Sequence, residues 1–188
     1  MAIILHPREL LNVAGALTMA RLPLAVAYPF IAHDETLALA VYLIAILTDA
    51  LDGTVARWTG TASETGAFMD GWLDKIFHVN AAWALALVGT IPGWWLLLWF
   101  SREIILATTV PWYIHHYVQG ETPPVHAGWV GKVTTTLLGA AFLTTLLGLA
   151  TIALWLSVGC GVLGVVSGLS YWRRIRWGQW VEAGKRPR

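Results

Sequence analysis

The chain has 188 residues, 57% of them hydrophobic and 12% charged, with a formal net charge of +1. Soluble domains carry roughly 25% charged residues, so this composition excludes an ordinary soluble enzyme. Its 12 Lys and Arg are too scattered for a phosphate-tracking surface, so nucleic acid is excluded as a partner.

Residues 1 to 10 mix apolar positions with His6, Arg8 and Glu9, as in a short amphipathic segment lying at an interface. No basic leader with a small-residue cleavage site precedes the first apolar stretch, which is read as retained. Apolar runs then predict six spans, over residues 11 to 32, 36 to 58, 66 to 88, 94 to 113, 129 to 149 and 151 to 172. His33, Asp34 and Glu35 break the first from the second, and WTGTASET is a Gly, Ser and Thr loop before the third. Pro92 and Gly93 turn the chain into the fourth, and Pro123 and Pro124 end the polar stretch before the fifth. A basic tail follows the sixth. The expected fold is all-α: one domain over 1–188, an integral membrane bundle of six transmembrane helices in a lipid bilayer, with a short N-terminal interfacial segment.

Lys and Arg concentrate on cytoplasmic flanks. Arg8, Arg57, Lys75, Lys132 and the tail from Arg173 onward fall at one set of span ends, and the first, third and fifth connections have none. Both termini and the loop after Arg57 are therefore expected to face the cytoplasm. Trp94, Trp95 and Trp99 are expected as anchors at the far interface, and Trp172, Trp177 and Trp180 at the near one. Cys160 stands alone and reads as a small buried residue. His115, His116 and His126 are expected in a loop without nearby acids and read as interfacial histidines rather than a metal site.

The polar exception is residues 49 to 74. Asp49, Asp52 and Ala56 share one helical stripe with Gly53 beside it, and Gly66, Asp70 and Asp74 recur every fourth residue on the next helix. A short loop makes these helices antiparallel neighbours that can turn the stripes toward each other. An intramembrane carboxylate costs ~2.5 to 3.5 kcal/mol at a helix centre, and Arg57 and Lys75 are the only local cations in the motif. Hard divalent ions, held by carboxylate oxygens, resolve that imbalance, and a pair of them suits phosphoryl displacement. Gly53, Ala56 and Gly66 are small where a ligand must approach the backbone, and Arg57 suits a bidentate grip on phosphate. Two other readings of the acids are helix-pinning ion pairs and a carboxylate-based ion or proton pathway.

The set reads D-x-x-D-G-x-x-A-R, eight residues, then G-x-x-x-D-x-x-x-D, and it resembles the CDP-alcohol phosphatidyltransferase family at every fixed position. NVAGALTMARLP, SREIILA and GKVTT resemble its phosphatidylglycerophosphate synthase and CMP-forming cardiolipin synthase branches. The resemblance implies transfer of a phosphatidyl group from CDP-diacylglycerol to an alcohol, with release of CMP in phospholipid biosynthesis. It implies two divalent cations, Mg²⁺ or Mn²⁺, on Asp49, Asp52, Asp70 and Asp74, with Asp74 as base and Asp70 as the alternative. Gly53, Ala56, Arg57 and Gly66 would hold the cytidine diphosphate, and Arg21, Arg102 and Lys132 are candidate contacts to an acceptor phosphate. An ion pair with Glu103 or a site Asp is the other reading of Arg102, and a snorkelling flank that of Lys132. Glycerol 3-phosphate is the expected acceptor, ahead of phosphatidylglycerol and of an inositol phosphate. Trp72 departs from the small residues and Pro those branches show near the fourth Asp. The resemblance favours a homodimer, and Gly159, Gly161, Gly164 and Gly168 permit close helix packing within one chain or between two.

Overall fold

The computed structural model describes residues 13–58, 64–119, 121–122, 129–177 and 181–182, except the side chains of 13–15, 17–18, 52–53, 56–57, 64–68, 117, 121–122 and 181–182. The amphipathic segment expected over residues 1 to 10 lies outside the described residues, as do Asn12, His126 and Trp180. The described residues are essentially all helical. They separate into two units, one ending at Pro92 and one beginning at Gly93.

Three long helices make the first unit: α1 (Val13–Ile31), α2 (Glu35–Trp58) and α3 (Glu64–Leu87). The faces they bury are built mostly from small residues at helical spacing: Ala25 on α1 with Ala32 just past its end, Ala38 and Ala45 on α2, and Ala81, Ala82 and Ala84 on α3. One aromatic residue from each helix fills the centre. Phe77 of α3 meets Tyr28 of α1 edge-on at 5.7 Å and stacks on Tyr42 of α2 at 6.1 Å. Many other large aliphatic and aromatic side chains point outward, with Val26 61%, Phe30 75%, Leu47 59% and Leu87 79% exposed. Small residues on the buried faces let the helix backbones approach closely.

Each break in this unit has a local cause. Asp34 caps α2, its Oδ1 accepting from the backbone N–H of Thr36 and Leu37 at 3.0 Å each. Gly89, at φ +84°, closes α3 with Thr90 N–H on Leu85 O and its own N–H on Ala86 O, a left-handed terminus that a side chain would strain. Pro23 and Pro29 lie inside α1. Pro29 has no N–H, so the carbonyl of Ala25 lacks its partner one turn on. The side chain of Asn80 on α3 donates to that carbonyl and replaces the lost bond.

The second unit differs from expectation at the fourth span. In place of one helix it holds α4 (Trp95–Trp99), α5 (Ser101–Ala107) and α6 (Val110–Val118). Phe100, at φ −109° and ψ 18°, makes the first break. At the second, Pro111 cannot donate to the Ala107 carbonyl, and the hydroxyls of Thr108 and Thr109 turn back onto Ile105 O and Leu106 O. The chain then forms α7 (Trp129–Leu146) and α8 (Ala150–Trp177). A two-residue antiparallel ladder pairs β1 (Glu121–Thr122) with β2 (Val181–Glu182). Helix α8 carries Arg173, Arg174 and Arg176 beyond the expected end of the sixth span. Among the described residues it is the helix long and apolar enough to cross a membrane by length and composition.

One expectation changes here, and one choice left open is narrowed. Trp95 and Trp99 are buried rather than interfacial anchors, and Trp99 Nε1 donates to Ser157 Oγ at 2.8 Å. The glycines of α8 are used within the chain: a Cβ on Gly161 would lie 2.8 Å from Leu98, one on Gly168 3.0 Å from Ile105, and one on Gly164 would strike Ser101 Oγ. They are therefore no evidence for a dimer contact. Cys160 is buried, as expected.

These contacts set two expected stabilities, read as thermal unfolding in detergent micelles. Gly164→Val should cost about 1 to 3 kcal/mol by overpacking, and Asn80→Leu about 1 to 3 kcal/mol by leaving the Ala25 carbonyl without a donor. Gly71→Ala, where nothing lies within 4 Å, should stabilise by about 0.5 to 1 kcal/mol, because alanine suits a helix interior better than glycine.

Candidate active site

The acids continue the buried faces of their helices toward one end. On α2 the series Ala38, Tyr42, Ala45 leads to Asp49, and on α3 the series Leu85, Ala81, Phe77 leads back to Asp74 and Asp70. Helix α1 packs along both α2 and α3, and its own buried face of Ala32, Tyr28 and Ala25 ends in Arg21. The three lines meet at that guanidinium.

Arg21 is 1% exposed. One terminal nitrogen lies 3.0 Å from Asp49 Oδ1 and the other 2.6 Å from Asp70 Oδ1. A planar fork with two outer nitrogens suits such a bridge, and a guanidinium does not lose its proton at any working pH. The two acid-bearing helices are thus joined through a third helix, and they meet each other through the rings of Tyr42, Phe77 and His78. Arg21 adds a buried cation to the two counted from the motif, which lowers the charge shortfall read from the sequence.

Asp74 lies one turn beyond Asp70 and faces a different partner. Its Oδ1 is 3.1 Å from Nδ1 of His78, and the same nitrogen is 2.9 Å from the Asp74 backbone carbonyl. His78 is absent from the expected site, although it extends the four-residue spacing of Gly66, Asp70 and Asp74 by one more step. Trp72 projects roughly 200° around α3 from Asp70. Its ring is 54% exposed with Lys75 Nζ 5.9 Å away, so its bulk lies off the acidic face.

Asp52, Gly53, Ala56 and Arg57 lie on α2 and Gly66 on α3, with side-chain positions outside the described residues. In the second unit Arg102 grips Glu103 through Nε at 3.0 Å and Nη2 at 2.6 Å, and Nη1 donates to Gly131 O at 3.1 Å. That is the ion-pair alternative to a phosphate contact. Lys132 is exposed on α7.

Carboxylate oxygens suit hard divalent cations. The side chains of Asp49, Asp70 and Asp74 are 48%, 37% and 27% exposed, so water and an ion can reach them. Asp49 and Asp70 already hold an oxygen each toward one positive centre. The donor chemistry fits Mg²⁺ or Mn²⁺, although among the described residues no three acidic or histidine side chains close into a ready cage.

The sequence pattern of the family described as CDP-alcohol phosphatidyltransferase matches residues 11–163. The chain is 27% identical over 183 residues to a Mycobacterium bovis protein provisionally named a cardiolipin synthase, covering 95% of this chain and 80% of that one. It is 30% identical over 172 residues to a Mycobacterium tuberculosis protein provisionally named a phosphatidylglycerophosphate synthase, covering 85% and 79%. It is 30% identical over 142 residues to the CDP-diacylglycerol–glycerol-3-phosphate 3-phosphatidyltransferase of Sodalis glossinidius, covering 73% and 74%.

Arg21→Met should leave Asp49 and Asp70 facing each other around an apolar side chain. Losing a buried ion-pair partner costs 3 to 5 kcal/mol, and the partial hydration of both acids reduces this to about 2 to 3 kcal/mol. Arg21→Lys keeps the charge but not the two-nitrogen span and should lose about half as much, measured by thermal unfolding at fixed detergent.

Proposed function

Because the chain belongs to the CDP-alcohol phosphatidyltransferase family, we propose that it transfers the phosphatidyl group of CDP-diacylglycerol to glycerol 3-phosphate, forming phosphatidylglycerophosphate and CMP. The observation that carries this reading is the meeting of Asp49 and Asp70 at Arg21 with Asp74 one turn further, on residues that match the family motif. The names of the Sodalis and Mycobacterium tuberculosis relatives favour glycerol 3-phosphate. The relative covering 95% of the chain favours a second reading, a CMP-forming cardiolipin synthase whose acceptor is phosphatidylglycerol.

In this proposal Asp74 accepts the proton of the acceptor hydroxyl as its oxygen bonds to the phosphatidyl phosphorus. The bond from that phosphorus to the bridging oxygen breaks, and CMP leaves with the electron pair. Arg21 holds the carboxylates of Asp49 and Asp70 at fixed positions. Asp49, Asp52, Asp70 and Asp74 would hold two divalent cations, which when bound supply positive charge to offset that of the diphosphate and of departing CMP. Arg57, with Gly53, Ala56 and Gly66, would hold the nucleotide.

We also read the chain as one domain of six membrane passes, made by α1, α2, α3, the α4 to α6 series, α7 and α8, in the cell membrane. The outward apolar faces support burial in lipid, and the Lys and Arg distribution supports a cytoplasmic acidic end. A homodimer rests on family resemblance alone.

Purified protein given CDP-diacylglycerol and Mg²⁺ or Mn²⁺ should release CMP with glycerol 3-phosphate and stop when the metal is chelated. Release with phosphatidylglycerol alone would select the second reading, and no release with any alcohol would end both. Asp74→Asn should lower kcat about 10²- to 10⁴-fold, the range of a lost general base, with nucleotide binding retained. For orientation, Ser63→Cys should label only after inside access is opened, and Asp34→Cys from outside.

A further inference from the structure

The acidic face of α3 does not end at Asp74. Gly66, Asp70, Asp74 and His78 recur every fourth residue, and the fourth member touches the third. Nδ1 of His78 lies 3.1 Å from Asp74 Oδ1 and 2.9 Å from the Asp74 backbone carbonyl. A backbone carbonyl only accepts, so Nδ1 carries the hydrogen and donates it to both oxygens. That choice of nitrogen leaves Nε2 facing the hydroxyl of Tyr42 on α2 at 3.5 Å, the outer reach of a hydrogen bond.

The ring has little freedom to do otherwise. It stands edge-on to Tyr42 at 6.0 Å and to Phe77 at 5.8 Å. Tyr42 itself is fully buried and Phe77 is 1% exposed. The His78 side chain is 13% exposed, against 27% for Asp74. A rigid, mostly buried donor therefore holds one oxygen of a more open carboxylate. An aspartate on a helix otherwise chooses among rotamers and two ring-flip-like settings of its carboxylate. With Oδ1 held by His78, the direction of Oδ2 is set as well.

We propose that His78 is a positioning residue that fixes the carboxylate of Asp74 for metal holding and proton acceptance, with Tyr42 and Phe77 fixing the histidine. This rests on the role given to Asp74 under the proposed function. Nothing in the motif itself supplies it, because the motif stops at Asp74.

The test compares two polar replacements. The side-chain amide of His78→Asn can stand where Nδ1 stands and reach Asp74, while the longer side chain of His78→Gln places its amide near Nε2, toward Tyr42. Full-length protein in micelles is titrated with Mn²⁺ alone, followed by electron paramagnetic resonance, and kcat and KM for CDP-diacylglycerol are measured by CMP release. Loss of a partner that orients a metal ligand costs 10- to 100-fold in affinity or activity. His78→Gln and His78→Leu should therefore bind Mn²⁺ about 10- to 100-fold more weakly and lose kcat by a similar factor, with KM unchanged. His78→Asn should recover most of both. Equal behaviour of the Asn and Gln variants, or wild-type Mn²⁺ affinity and kcat in the Gln variant, would overturn the proposal. If the wild type releases no CMP, the transferase reading fails, and the Mn²⁺ affinities of the Asn and Gln variants still decide the role of His78.

Discussion

The first unit depends on one buried cation. Arg21 has almost no contact with water, and a guanidinium cannot shed its charge to relieve that cost. Asp49 and Asp70 supply the compensation from two other helices, at 3.0 Å and 2.6 Å. Their partial exposure matters to the balance. Two fully buried acids would add their own desolvation to that of Arg21, whereas these remain partly hydrated at the open end of the helices. The same contact ties α1, α2 and α3 together and sets where two acids point, so stability and chemistry at this end cannot be tuned independently.

Away from that end the helices are held by close packing of small residues and by an aromatic centre. The cost of this arrangement is sensitivity to any unpaired backbone group, since apolar surroundings offer no hydrogen bonds. Pro29 creates such a group at Ala25, and Asn80 satisfies it from a neighbouring helix. The result couples α1 to α3 by a polar contact in an otherwise apolar stretch, about two to three turns from Asp74 and Asp70 along α3. Pro111 poses the same problem in the second unit, and there the chain responds by breaking the helix and turning two threonine hydroxyls back on it.

Local periodicity carried most of what was readable in the sequence. The helices containing the acids begin and end within two residues of the expected spans, and the Asp70 to Asp74 face is where a four-residue repeat puts it. Long-range partners were not readable. Arg21 and Asp70 are 49 residues apart, and nothing in either segment states which helix lies between α2 and α3. Trp95 and Trp99 misled for a related reason: tryptophan suits both an interface and a core, and the Ser157 hydroxyl that accepts from Trp99 sits on a distant helix. His78 is a different case. The repeat that located Asp70 and Asp74 continues to it, and it was missed because the family motif ends one step earlier.

The position of the acids along their helices bears on the proposed chemistry. A donor such as CDP-diacylglycerol has acyl chains that belong among apolar side chains and a nucleotide diphosphate that belongs in water. On α2 and α3 the outward faces are apolar, with Leu47 and Trp83 both more than half exposed, while the inward faces pass from alanine and aromatic residues to aspartates within two turns. A substrate lying along that boundary could keep its chains against the former and its phosphates beside the latter without burying either in the wrong medium. Acids in a loop would have lost the rigid spacing that α1, through Arg21, imposes on them.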